Sequence, residues 1–154
     1  MSEPARVLLV ANRTAVEEGL LRAVERRAES RPSTFHLVVP ATPAGLHRLV
    51  DPEVAGRQEA GRQLASALPL LEARAGGPVT GEVGDADPLA AIHDALGRDD
   101  FFEEIVISTL PRRLSRWLRL DLVSKARGLG LPVSHVQSLP RGGVEPVERL
   151  AATS

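Results

Sequence analysis

The sequence predicts an α/β fold: a five-stranded parallel sheet with helices on both faces. Two observations predict this class. Short apolar runs alternate with longer segments of helical periodicity, and the series ends on a strand. Such an order implies right-handed crossovers between parallel strands. The strands also differ in texture. The first, second and fourth are continuously apolar, as strands covered on both faces are. The third and fifth alternate apolar with polar residues, as edges do. A sheet ordered 3-2-1-4-5 satisfies both observations. It places the reversal of strand order between the first and fourth strands, where ligands of open α/β sheets sit.

The first strand is residues 6–11 (RVLLVA). Asn12-Arg13 is a turn, and Thr14 with Glu17 matches a capping box opening a helix. Val16, Leu20, Leu21, Val24 and Ala28 form that helix's apolar face. Residues 35–39 (FHLVV) are the second strand, stopped by Pro40, and Pro43 and Gly45 mark a loop. Asp51-Pro52 opens the second helix, with Leu64, Leu68, Leu71 and Ala75 inward and Gly76-Gly77-Pro78 ending it.

Residues 79–83 (VTGEV) are the third strand. Asp87-Pro88 starts the third helix, with Leu89, Ile92 and Leu96 on one side. Residues 104–107 are the fourth strand, followed by a loop over residues 108–113. A helix over residues 114–128 buries Leu114, Leu118, Leu122 and Trp117, and Gly128 and Gly130 stop it. Residues 132–136 (PVSHV) are the fifth strand. One domain is expected over residues 1–138. Residues 139–154, rich in Pro and Gly, read as a poorly ordered tail in which residues 144–150 could dock.

Composition bounds the function. The 154 residues suffice for one core. A formal net charge of −1 argues against a general nucleic-acid binder. With no cysteine there is no disulfide, thiol catalysis or thiolate metal site. Three Phe, one Trp and no Tyr leave little for base stacking. No apolar run reaches the ~20 residues of a membrane span. The N-terminal apolar run is too short for a signal peptide, so a cytoplasmic location is expected.

Over about residues 5–137 the chain resembles the universal stress protein family. The resemblance rests on element order, on Gly84-Asp85-Ala86-Asp87-Pro88-Leu89-Ala90-Ala91-Ile92, on Leu114-Ser115-Arg116-Trp117-Leu118, and on Pro132-Val133. It implies the 3-2-1-4-5 sheet of the adenine-nucleotide α-hydrolase type, and a dimer formed through the last strand. It also implies what is missing. ATP-binding members carry Gly-x-x-Gly after the fourth strand and then, about nine residues on, Gly-Ser or Gly-Thr. Those glycines let backbone amides approach phosphate. Here Ser108 and Pro111 fall at the two glycines, and proline also removes a donor. Leu120-Asp121, or Asp121-Leu122 one residue on, falls at the closing pair, which turns a carboxylate toward the phosphate region. Asn12 replaces the Asp that many binders have after the first strand. The chain reads as a degenerate member, with ATP or AMP in the usual pose disfavoured and no cofactor expected.

The candidate ligand set is Asn12, Arg13, Val39, Ser108, Thr109, Arg112 and Arg113. Guanidinium forks can hold phosphate or carboxylate without close backbone approach, and the hydroxyls of Ser108 and Thr109 would add donors. The competing reading is a solvated face, since Arg112, Arg116 and Arg119 recur at helical spacing opposite Leu114, Leu118 and Leu122. No catalytic residues or metal ligands are assigned. Asp87 caps a helix, Asp85 orders its turn, and Asp121 has no acidic or histidine partner at ligand spacing. His36 and His135 read as satisfied strand residues, with His93 on a helix and His47 in a loop. Trp117 reads as a core or interface anchor. The expected function is a non-enzymatic stress-response regulator that dimerises through the fifth strand and contacts neither nucleic acid nor membrane. The alternative is a sensor of a small anion, a nucleotide or phosphorylated metabolite, held by the arginine loop. Nucleotide hydrolysis is the least favoured reading.

Overall fold

The computed structural model describes residues 3–42, 52–98 and 101–138. Five strands, β1 (Ala5–Val10), β2 (Ser33–Pro40), β3 (Val79–Gly84), β4 (Glu104–Thr109) and β5 (Val133–Gln137), form one sheet in the order β3-β2-β1-β4-β5. All four pairings are parallel. β1 lies at the centre, with Leu9 opposite Leu37 on one side and Val106 on the other. The alternating strands are the two edges, as their sequence texture implies.

Strand alternation divides the core into two layers. Val7, Leu9, Phe35, Leu37, Val39 and Val106 point to one face. There they meet α1 (Glu18–Ser30) through Leu20, Leu21 and Val24, and α2 (Pro52–Ala75) through Ala60, Ala67 and Leu71. Leu64 and Leu68 pack half-buried against the same layer. Leu8, Val10, Val38, Ile105 and Ile107 point to the other face. α3 (Pro88–Leu96) covers it with Ala91, Ile92 and Ala95. The short α4 (Arg116–Arg119) and α5 (Leu122–Arg127) contribute Trp117, Leu122, Val123 and Ala126.

Gly84 explains part of the third-helix motif. A Cβ there would stand 2.8 Å from Val38 Cγ1 and 2.9 Å from Ala91 Cβ. α3 therefore lies against β2 and β3 more closely than a side chain at position 84 allows. Asp85 Oδ1 accepts the Asp87 N–H at 2.8 Å, and Asp87 Oδ1 accepts the Leu89 N–H at 3.2 Å. Both acids have the turn-ordering and capping roles read from the sequence.

Three expectations are corrected. The capping box at Thr14 does not form. Residues 13–16 are a turn, α1 begins at Glu18, and its N-cap Glu17 makes no side-chain cap bond. The Thr14 hydroxyl instead meets Ser108 across the sheet end. The helix expected over residues 114–128 is two pieces. Asp121 stands in the left-handed region at φ 61°, and the chain turns there between α4 and α5. The first piece begins only after its cap Ser115, so Leu114 precedes it and is 44% exposed rather than buried, while Trp117 and Leu122 are buried as expected. Finally, β4 runs on through Ser108 and Thr109, which are strand residues paired with Val136 and Gln137, not loop residues. Asp51, Pro43, Gly45, His47 and the tail from residue 139 lie outside the described residues.

Candidate functional site

β1 and β4 are neighbours whose following segments turn to opposite faces, toward α1 and toward α4. That divergence opens a cleft at the carboxyl ends of the strands. Its volume is about 520 Å³. Asn12 and Arg13 line it from the β1 end, and Pro40 and Thr42 from the β2 end. Thr109, Leu110, Leu114, Ser115, Arg116 and Trp117 line it from the β4 side. Gly56, Glu59, Ala60 and Gln63 of α2 close it from above the sheet.

The polar groups at the strand ends are mostly engaged with the protein itself. Thr14 Oγ1 and Ser108 Oγ are 2.6 Å apart, and both residues are essentially without exposure. Thr109 Oγ1 donates to the Leu110 carbonyl at 2.8 Å, so His135 Nε2, also at 2.8 Å, donates to it. Burial, and then the charge of Arg127, pull the His135 pKa below its ordinary value of 6.5. The Thr109 carbonyl accepts the Ser138 N–H at 2.9 Å. Asn12 Oδ1 accepts the N–H of the next residue, Arg13, at 2.5 Å, and the Asn12 carbonyl accepts the Ala15 N–H at 3.1 Å, which closes the turn after β1. Ser115 Oγ caps α4 by accepting the Leu118 N–H at 3.2 Å.

Of the seven candidate residues, Asn12, Arg13 and Thr109 line the cleft. The other four do not. Val39 is fully buried in the core beneath, and Ser108 is fully buried with its hydroxyl paired to Thr14. Arg112 and Arg113 are exposed on a tight turn, closed by the Leu114 N–H to the Pro111 carbonyl at 2.8 Å, and lie outside the lining. The cleft's second guanidinium is that of Arg116, which helical spacing had placed on a solvated stripe. Asp121 is likewise exposed and outside the lining, so no carboxylate from that position enters the cleft. The carboxylate that does line it, Glu59, pairs with Arg62 at 2.9 Å. The α2 wall was beyond sequence reasoning. Gly56 and Ala60, one helical turn apart, were its only trace, and small residues at that spacing are common to many helices.

The remaining polar clusters hold the sheet together. His36 bridges β2 to β3, with Nδ1 2.7 Å from Thr80 Oγ1 and Nε2 2.6 Å from Glu82. Arg98 also contacts Glu82, and its hydrogen bond is the main reason that this carboxyl lies below the usual carboxylate range. Arg27 of α1 holds Glu104 of β4 by a two-pronged contact, one arm of which is 2.6 Å. Ser134 of β5 joins them, donating to Glu104 at 2.8 Å. Arg27 depresses the Glu104 pKa, and Glu104 raises that of Arg27. His36 and His135 are therefore satisfied strand histidines. Among the described residues, no three His, Cys, Asp or Glu side chains converge as metal ligands.

No family model and no curated protein matches the chain. Solved structures do. A universal stress protein family member from Burkholderia pseudomallei superposes with a TM-score of 0.59 at 18% identity, covering 88% of this chain and 96% of that one. The fold is that of the universal stress proteins. A universal stress protein from Archaeoglobus fulgidus, solved in complex with dAMP, matches at 21% identity and a TM-score of 0.53, covering 88% of this chain and 99% of that one. A third universal stress protein, solved in complex with cAMP, matches at 16% identity and a TM-score of 0.52, covering 88% and 98%. At these identities the universal stress likeness is one of fold. Among the described residues, no helix is long and apolar enough to cross a membrane.

Proposed function

We propose that the chain is a non-enzymatic, cytoplasmic regulatory protein of the universal stress type whose cleft does not seat ATP in the family's usual pose. The observation that carries this reading is the buried Thr14–Ser108 hydroxyl pair. It stands where a glycine would let main-chain amides reach a phosphate, and it ties the β1 corner to β4. Three residues on, Pro111 offers no N–H. A triphosphate placed there would meet side chains already bonded to each other. The test is isothermal titration with ATP, AMP, cyclic nucleotides and inorganic phosphate. Affinity for ATP weaker than millimolar is expected. Micromolar ATP binding, with the nucleotide's phosphates against residues 108–111 in a crystal structure, would overturn the reading.

A second reading, a small-ligand sensor, is favoured by the cleft itself. It persists with about 520 Å³ although the phosphate motif is gone, a size typical of small-molecule sites. Two of the structural neighbours were solved with the nucleoside monophosphates dAMP and cAMP. The two readings are compatible, since a regulator can respond to what its cleft holds.

The same proposal includes a homodimer through β5. Among the described residues that strand is an edge, and an edge leaves backbone donors and acceptors unpaired. A twofold pairing of β5 with its copy would satisfy them, with Val133 and Val136, both half-buried, adding apolar contact.

A further inference from the structure

We propose that the cleft receives a small apolar molecule bearing a single anionic group, a carboxylate or a phosphomonoester, rather than a nucleotide. This rests on the reading above, that the triphosphate cradle is lost, and names what the remaining cleft accepts.

The cleft's walls separate into two parts. Trp117 and Leu110 form an apolar floor and Ala60 faces the cleft from the α2 wall, all below a tenth exposed, and Leu114 stands beside the floor 44% exposed. Leu114 carries the apolar surface of Trp117 and Leu110 out to the mouth of the cleft, so an apolar body seated there would cover all three. The charges sit apart from this floor. Among the described residues, Arg13 and Arg116 are the two cations of the lining, both exposed, and neither pairs with a described carboxylate. The contrast with Arg27, Arg62 and Arg74, each held by a glutamate, is plain. The one acid among the described lining residues, Glu59, is already matched by Arg62. Among the described residues, the cleft therefore presents two uncompensated guanidiniums and no further charge.

That balance suits one anionic head, which a guanidinium fork grips through two oxygens. It does not suit three or four negative charges, because the hydroxyls that might share them are turned inward. Thr14 and Ser108 bond each other, and Thr109 bonds the Leu110 carbonyl and His135.

The chain supplies its own reporter, since its single tryptophan, Trp117, lies in the floor. 1-Naphthaleneacetate and 1-naphthyl phosphate would be titrated against the full chain by tryptophan fluorescence, with neutral 1-naphthalenemethanol, AMP and ATP alongside. At least one naphthyl acid is expected to quench Trp117 with micromolar affinity. The neutral analogue is expected to bind at least ~10-fold more weakly, the scale of one charged contact. The Arg13→Gln/Arg116→Gln double variant is expected to weaken the acid ~10- to 100-fold. Both arginines are exposed, so its circular dichroism and urea midpoint should match those of the parent. Whichever acid binds more tightly identifies the head group. No quenching by either acid at about 1 mM, equal binding of the neutral analogue, undiminished binding by the double variant, or tighter binding of AMP than of both acids would each overturn this inference. Tight ATP binding would instead overturn the reading it rests on. Failure of the acids together with failure of ATP would overturn this inference alone.

Discussion

At the scale of single residues, the Thr14–Ser108 contact is the most exposed to test. Each hydroxyl is buried and has the other as its partner at 2.6 Å. Ser108→Ala leaves the Thr14 oxygen in the core without a bond. The expected loss is about 1–3 kcal/mol, the desolvation cost of an unsatisfied buried group. Thr14→Val should cost a similar amount for the converse reason. The double variant should be more stable than the sum of the two losses implies, by about 1 kcal/mol or more, because it removes both polar groups together. Urea unfolding of the four proteins measures this, and strictly additive losses would mean that the two hydroxyls do not depend on each other. The sequence placed both residues at the right end of the sheet. It did not reveal that they face each other, because a contact across 94 positions leaves no local pattern. For Arg112 and Arg116 the difficulty was different. Both fit a helical stripe, and only the turn over residues 111–115 decides which of them faces the cleft.

At the scale of elements, the order of strands and the distinction between centre and edge were legible because parallel central strands must be apolar on both faces. The join between α4 and α5 was not legible. Residues 114–128 keep an apolar spacing compatible with one helix, and the break at Asp121 is a backbone conformation that Asp tolerates without announcing. The packing of α3 gives a clear prediction. Gly84→Ala forces a methyl against Val38 and Ala91 and should cost about 1–3 kcal/mol, as overpacking does. Among the described residues, nothing stands within 4 Å of where a Cβ on Gly61, inside α2, would lie. Gly61→Ala should therefore stabilise by up to about 1 kcal/mol through helix propensity alone. Opposite signs for the two glycines, read from thermal or urea midpoints, are the expected result. Equal small effects would contradict the close approach of α3 to the sheet.

At the scale of the whole molecule, acid should destabilise the protein in two steps. His135 has a lowered pKa when folded, so the unfolded chain binds its proton first and stability falls as pH drops below about 6.5. Glu82 and Glu104 are also lowered, so their contribution is present above the ordinary carboxyl value of 4.5 and is lost as pH falls through their folded values. Urea midpoints between pH 7.5 and 3 would show both declines. Glu104→Gln should flatten the lower one, and an unchanged slope there would remove Glu104 from the account. Association belongs to this scale too. Sedimentation at micromolar concentration should give twice the chain mass, whereas a mass of one chain would count against pairing through β5. The sheet order also bears on how the molecule is made. β1 needs β2 on one side and β4 on the other, but β4 is translated long after β2. At roughly 5–20 residues per second, ribosomes leave one flank of the innermost strand bare for about five to twenty seconds. During that interval the nascent chain offers an apolar, unpaired ribbon to any neighbour. Its successful synthesis thus depends on whatever shields that ribbon until the fourth strand emerges.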